Sequence, residues 1–185
     1  MSIKFAVWHN HIPHDILDRW CSYLKQLDEV RSRSLEFGYP GHPLIDPPKS
    51  LHQISASIAR TVMSVLRWEL DVHPKYGSHY HFLEYHPGCE APKHVDKPPA
   101  LAADSQCVLS IVICLSDKEE YSGGELVLDN STLTSTKLSK GDIAIFHSQI
   151  PHQVTKVTHG VRRVLCCFLC GPVERLENAA PELSA

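Results

Sequence analysis

His94-Val95-Asp96 places an imidazole and a carboxylate two residues apart. On an extended segment, side chains at i and i+2 share a face, so both can reach one ion. A second imidazole stands at His152, after Pro151 and the run Gly141-Asp142-Ile143-Ala144-Ile145-Phe146. Two imidazoles and one carboxylate on one face of an octahedron hold Fe(II) and leave three positions open. A 2-oxo acid can fill two of them and dioxygen the third. If that acid is a long diacid, its far carboxylate calls for a cation, and the planar fork of arginine matches a carboxylate in a bidentate way. Arg162 follows His152 by ten residues, with Gly160 just ahead and Arg163 beside it. Alternation along a strand sends the two arginines to opposite faces, so one of them can point inward.

Other residues compete for the same chemistry. The chain has thirteen histidines among 185 residues, and at ordinary aspartate content roughly one His-x-Asp arises by chance. His79 and His81 share a strand face with Glu84 close behind, which suggests a cupin-like barrel that binds metal or ligand without turnover. The spacing to Glu84 is short, and no second motif completes that pattern. Cys167 and Cys170 form a CxxC without a partner CxxC, so they read as small apolar residues on a last strand. His9, His11 and His14 read as exposed polar residues, and Glu119-Glu120 as a solvated turn.

The position of the metal motif in the pattern of elements decides its weight. Ile16, Leu17, Trp20, Leu24 and Leu27 make one apolar helical face over 13–27, with Pro13 ahead of Asp15 as a start signal. Leu51, Ile54, Ile58, Val62, Val65, Leu66 and Leu70 repeat the spacing over 50–70. Between them, Gly38–Pro48 holds four prolines and two glycines and reads as an ordered loop or lid. The period then changes. His79–Tyr85, Val108–Leu115, Glu125–Leu128, Asp142–His147 and Arg163–Leu169 are short β-rich runs punctuated by Gly, Pro, Asn and Asp. No helical pattern separates them, so the strands are expected to be antiparallel, as a double-sheet barrel with helices on one face. His94-Val95-Asp96 and His152 both fall at the borders of these runs. Asn178–Ala185 reads as a tail.

Composition narrows the class. A length of 185 residues suits a single domain, 1–185, and can bury a core without staples. The net charge of −3 argues against a partner bound through a large positive field, so no nucleic acid is expected. No apolar run is long enough to span a bilayer, and the start lacks the features of a signal peptide. Seven cysteines in a chain of this size read as reduced thiols, which suggests a cytoplasmic protein.

Leu83-Glu84-Tyr85-His86-Pro87-Gly88 leading to His94-Val95-Asp96, then Cys107–Ser116, Gly123-Gly124-Glu125-Leu126, Gly141–Phe146 and His152-Gln153-Val154…Val157…Gly160-Val161-Arg162 resemble the prolyl 4-hydroxylase-like branch of the Fe(II)/2-oxoglutarate dioxygenases. The resemblance covers about residues 78–171 and rests on five pieces in order and spacing. It implies a mostly β double-stranded β-helix, or jelly-roll, with N-terminal supporting helices over about 13–70. It implies Fe(II) held by His94, Asp96 and His152, 2-oxoglutarate as cosubstrate, and O2. Arg162, chosen over Arg163 by the family's Gly-x-Arg pattern, would pair with the C5 carboxylate. Tyr85 and Ser110 would help bind the cosubstrate, with Phe146 and Val154 as apolar walls. The implied activity is decarboxylation of 2-oxoglutarate coupled to hydroxylation of an unactivated C–H in a small molecule or peptide. Ala91 and Cys114 stand where prolyl hydroxylases often keep aromatics, so a substrate other than a collagen-like peptide is expected.

Overall fold

The computed structural model describes residues 5–25, 41–43, 49–64, 78–97, 105–129 and 133–172. Two helices and twelve strands occupy them, numbered here in chain order. β1 (Phe5–Trp8) precedes α1 (His14–Lys25), and β2 (Gly41–Pro43) precedes α2 (Lys49–Ser64). The barrel strands follow as β3 (Ser78–Tyr85), β4 (Ala91–His94), β5 (Ser105–Cys114), β6 (Tyr121–Ser122) and β7 (Leu126–Asp129). The series ends with β8 (Leu133–Thr136), β9 (Ile143–His147), β10 (His152–Val154), β11 (His159–Gly160) and β12 (Arg162–Pro172). The Gly38–Pro48 loop apart from β2, the 65–70 end of the second helical pattern, part of the Cys89–Ala103 segment and the Asn178–Ala185 tail lie outside the described residues.

One sheet has six strands in the order β1-β9-β5-β12-β3-β2, and a second has four in the order β4-β10-β7-β8. β6 and β11 form a short ribbon. Every pairing is antiparallel. The six-stranded sheet is covered on both faces, which explains why β5 reads as an almost unbroken apolar run. Its outer side chains, Leu109, Ile111 and Ile113, join Ile143, Ile145, Leu165 and Cys167 in a core with Leu17, Trp20 and Leu24 of α1 and Leu51, Ile58 and Val62 of α2. The 3–4 spacing legible in both helices is the stripe that this sheet face buries. The inner side chains Val112, Cys114, Ala144, Phe146, Val164 and Cys166 pack against Leu126, Leu128 and Val154 of the smaller sheet. Two antiparallel sheets thus face each other around one interior.

Among the strands absent from the sequence reading, β1 (Phe-Ala-Val-Trp) is apolar but only four residues long, and others have weak apolar signal. β8 is Leu-Thr-Ser-Thr at a sheet edge, alternately exposed and half-buried, and β10 is three residues long. Tertiary pairing, not propensity, makes them strands. Among the described residues, no helix is long and apolar enough to cross a membrane.

One buried carboxylate ties β1 and α1 to the barrel. Asp142, 6% exposed, accepts the amide N–H groups of Asn10 and Ser139, both at 2.9 Å. Burial works to raise its pKa, but those two amides and the His9 imidazole outweigh it and hold the carboxyl below its ordinary value. Asp142→Ala orphans two amides, and the expected loss is about 1–3 kcal/mol, read as a lower melting temperature. A group with a depressed folded pKa contributes stability that is complete above the unfolded value near ~4 and is lost as pH falls through the folded value. The gap in melting temperature between wild type and variant should therefore close in acid; a gap that widens there would contradict this assignment.

Candidate metal centre

β4 and β10 are neighbours, and their register sets His152 directly opposite His94. Asp96 lies two residues beyond His94, and its amide donates to the carbonyl of Ser148. Among the described residues, His94, Asp96 and His152 form a group of potential ligands whose donor atoms all lie within 4.8 Å of one another. His94 Nε2 and His152 Nε2 stand 3.7 and 3.6 Å from the same Asp96 oxygen, Oδ1.

Each side chain is oriented by a second partner. His94 Nδ1 lies 2.7 Å from the carbonyl of Pro92, and His152 Nδ1 lies 2.9 Å from that of Ile150. A carbonyl can only accept, so both Nδ1 atoms carry a proton and both Nε2 atoms face Asp96. The other carboxylate oxygen, Asp96 Oδ2, accepts the Ser110 hydroxyl at 2.5 Å, and Ser110 in turn meets Ser148 Oγ at 2.7 Å. The Phe146 ring stands 4.8 Å from that of His152. The two imidazoles differ in setting. Asp96 raises the pKa of His94, whose side chain is 43% exposed. Burial lowers that of His152, whose side chain is 7% exposed. His152 is therefore held neutral, the form that binds a metal.

Arg162 occupies the other end of the same interior. β12 pairs with β3 so that Arg162 opposes Tyr85 and Arg163 opposes Glu84. Arg162 points inward and is 1% exposed, with its guanidinium carbon 5.1 Å from the centre of the Tyr85 ring. Its Nε and Nη1 have no hydrogen-bond partner. Arg163 points outward, and its Nε donates to Glu84 Oε1 at 2.7 Å. Room for the Arg162 stem comes from Gly124 at φ +70°, where an added Cβ would stand 2.8 Å from Arg162 Cδ. Gly160, at φ +67°, lets the chain turn into β12 against Glu120, whose carbonyl oxygen would be 1.8 Å from a Cβ. The thiol of Cys166, between the two ends, is pushed up to about 12 by burial first, and it feels both Asp96 and Arg162.

Two assignments change in the structure. Ser110 is not beside Arg162. It opposes Phe168 on β12, six positions and about 20 Å along the strand from Arg162, and it holds Asp96 instead. Cys114 lies at the Arg162 end, buried, with its thiol donating to the carbonyls of Ser116 and Leu138. Its missing aromatic therefore concerns the closed end of the barrel and carries no argument about a substrate at the open end. Sequence reading missed Tyr121, 1% exposed, whose hydroxyl donates to the Leu138 carbonyl at 2.5 Å and faces Arg162. It also missed Ser148 and Gln149, which brace Asp96. A tyrosine two residues before a Gly-Gly pair was the available signal for the first; nothing local marks the other two. His79 and His81 lie on the inner face of β3 but outside the group of three.

Residues 80–170 match the family model described as the 2OG-Fe(II) oxygenase superfamily. A PKHD-type hydroxylase from Maricaulis maris is 35% identical over 111 residues, which are 55% of this chain and 50% of the relative. The chain thus spans between about a third and a half of the length of the curated relatives it matches. A prolyl-4-hydroxylase from Pseudomonas putida superposes with a TM-score of 0.65 at 18% identity, covering 93% of this chain and 95% of that one. The 2OG complex of a viral collagen prolyl hydroxylase from Paramecium Bursaria Chlorella virus-1 gives 0.64 at 12% identity, covering 91% and 96%. These likenesses identify the barrel as a double-stranded β-helix. The matched segment runs from within β3 to within β12 and encloses the interior just described, and over it the chain is matched as a 2OG-Fe(II) oxygenase, a superfamily named for Fe(II) and 2-oxoglutarate.

Proposed function

We propose that residues 1–185 form one domain that hydroxylates an unactivated C–H of a small molecule or peptide, with Fe(II) held by His94, Asp96 and His152. The observation that carries this reading is Arg162: a fully buried guanidinium with unpartnered N–H groups inside the barrel that holds the three ligands. A buried charge without a partner is costly, so the interior is built for an anion. The donor set suits Fe(II), with two imidazole Nε2 atoms and one carboxylate oxygen converging and one side left open.

Bound Fe(II) supplies activation of O2 coupled to decarboxylation of 2-oxoglutarate. The chain supplies placement. Arg162 takes the far carboxylate as a charge-assisted pair, with Tyr85 and Tyr121 beside it. Ser110 keeps Asp96 Oδ2 occupied, which leaves Oδ1, beside the two imidazoles, as the oxygen that would hold the metal. The apolar lining from Phe146, Val154 and Val164 keeps water out of the path between the two ends. The decisive experiment is mass spectrometry of aerobic reactions with Fe(II), 2-oxoglutarate and a library of amino acids, peptides and metabolites. A product heavier by one oxygen, formed with stoichiometric succinate, is expected; metal binding without succinate production would favour the non-catalytic barrel.

His94→Ala, Asp96→Ala and His152→Ala should each abolish turnover with the fold retained, as read by circular dichroism and metal titration. Near-normal iron affinity in any one of them would remove that residue from the set. Arg162→Ala should raise the 2-oxoglutarate requirement about a hundred-fold, since two charge-assisted hydrogen bonds of about 1.5 kcal/mol or more each are lost. Arg163→Ala should leave that requirement unchanged and cost stability through Glu84. Ser110→Ala should weaken Mn(II) binding by about ten-fold or more, the usual size of an outer-shell effect, while leaving the 2-oxoglutarate KM in place. The opposite split would return Ser110 to the cosubstrate.

A further inference from the structure

Beyond Phe168, at the end of the barrel that holds the three ligands, lie two thiols that the metal site does not use. Cys107 on β5 and Cys170 on β12 are register partners, with Sγ atoms 3.8 Å apart, and are 1% and 0% exposed. A bulge brings them together. Leu169 opposes Leu109, yet Cys170 opposes Cys107, so Val108 is left without a partner on β12. Regular pairing would have set Cys170 against Val108. Directly opposed residues in antiparallel strands have Cα atoms about 4.5–5.5 Å apart, inside the range of about 4.4–6.8 Å that a disulfide spans.

We infer that Cys107 and Cys170 are a redox modification site, closing to a reversible disulfide that loosens the grip on the metal through Asp96. The link is the segment Ser148-Gln149. Gln149 Nε2 donates at 3.4 Å both to the Cys107 carbonyl and to the Asp96 carbonyl. The Ser148 amide donates to the Val108 carbonyl, and the Ser148 carbonyl accepts the Asp96 amide. The Ser148 hydroxyl meets the Ser110 hydroxyl that holds Asp96 Oδ2. Drawing the sulfurs from contact to a bond of about 2.0 Å pulls β5 toward β12 at the bulge, where the ladder is already interrupted. Val108 and Cys107 are the residues from which Asp96 is braced.

The oxidant is hydrogen peroxide. The thiolate of one cysteine attacks the peroxide, breaking its O–O bond and giving a sulfenic acid and hydroxide. The second thiol then attacks that sulfur, forms the S–S bond and expels water. Overall, two thiols and one peroxide give one disulfide and two waters; each sulfur loses one electron and each peroxide oxygen gains one. Either sulfur can donate its S–H to the other, so a thiolate on one is stabilised by the thiol of its neighbour and one member of the pair ionises more readily than the second. Both sulfurs are buried, so a small peroxide rather than a bulky thiol reagent is the class of oxidant that the site would take. The sequence motif Cys167–Cys170 does not compete, since Cys167 belongs to the helix-facing core.

The test treats the reduced, metal-free chain with hydrogen peroxide, then unfolds it in a thiol-blocking reagent and digests it. The expected result is a loss of two hydrogens in intact mass and a peptide cross-linked between Cys107 and Cys170, both reversed by dithiothreitol. The oxidised chain should bind Mn(II) about ten-fold more weakly, and peroxide should leave the Mn(II) affinity of Cys170→Ser unchanged. The mapping on wild type needs no variant, so it stands even if Cys170→Ser fails to fold. Recovery of both sulfurs as blocked thiols or as sulfinic acids overturns the site; a cross-link with unchanged Mn(II) affinity overturns its coupling to Asp96. The coupling rests on the metal reading above, and His152→Ala separates the two: it should lose Mn(II) binding in both redox states while still forming the cross-link.

Discussion

The centre of this molecule is a carboxylate that has to be buried and still point the right way. Asp96 is 8% exposed, and a buried carboxylate is tolerated only when its oxygens are satisfied. The fold divides the two oxygens. Oδ2 is committed to Ser110, and Oδ1 faces two imidazole Nε2 atoms. Each imidazole is in turn turned by a backbone carbonyl two residues earlier. Four strands contribute to this arrangement, β4 and β10 from one sheet and β5 and β9 with its following turn from the other. The two sheets must therefore be packed correctly before the site exists.

The same packing makes the barrel asymmetric. Arg162, Tyr85 and Tyr121 are 1%, 4% and 1% exposed, whereas His94 reaches solvent. A positive charge sealed at one end and a coordinating group near the other define a direction for a diacid. Alternation on β12 gives this direction its precision, because a shift of one residue would exchange Arg162 for Arg163 and put the charge outside. The Arg163–Glu84 pair on the outer face adds to the cost of such a slip.

Much of this was legible because it depends on local pattern. The helix faces followed from 3–4 spacing and the inner strands from apolar runs. His94, Asp96 and His152 stood out as short motifs at strand borders, and the resemblance assigned them together and chose Arg162 over Arg163. What was not legible depends on pairing between distant segments. Ser110 looked like a cosubstrate contact because its strand is right, but its position along that strand is fixed by Phe168 and Phe146 opposite it. Tyr121 sits in a two-residue strand whose partner, β11, has almost no propensity of its own. Gln149 reaches the carbonyls of Asp96 and Cys107 with its side-chain amide, and Ser148 acts partly through its own backbone, so their partners are distant in sequence and no local pattern marks them.

The central claim is that the three ligands and Arg162 bind one metal and one 2-oxoglutarate together. An anaerobic titration of the Fe(II)-loaded chain with 2-oxoglutarate, followed by visible absorbance, tests it most directly, because chelation by the keto acid creates a metal-to-ligand charge-transfer band. The account predicts a saturable band with one equivalent of each, abolished in Asp96→Ala and shifted to much higher 2-oxoglutarate in Arg162→Ala. No band in the wild-type chain, or a band that survives unchanged in Asp96→Ala, would contradict it.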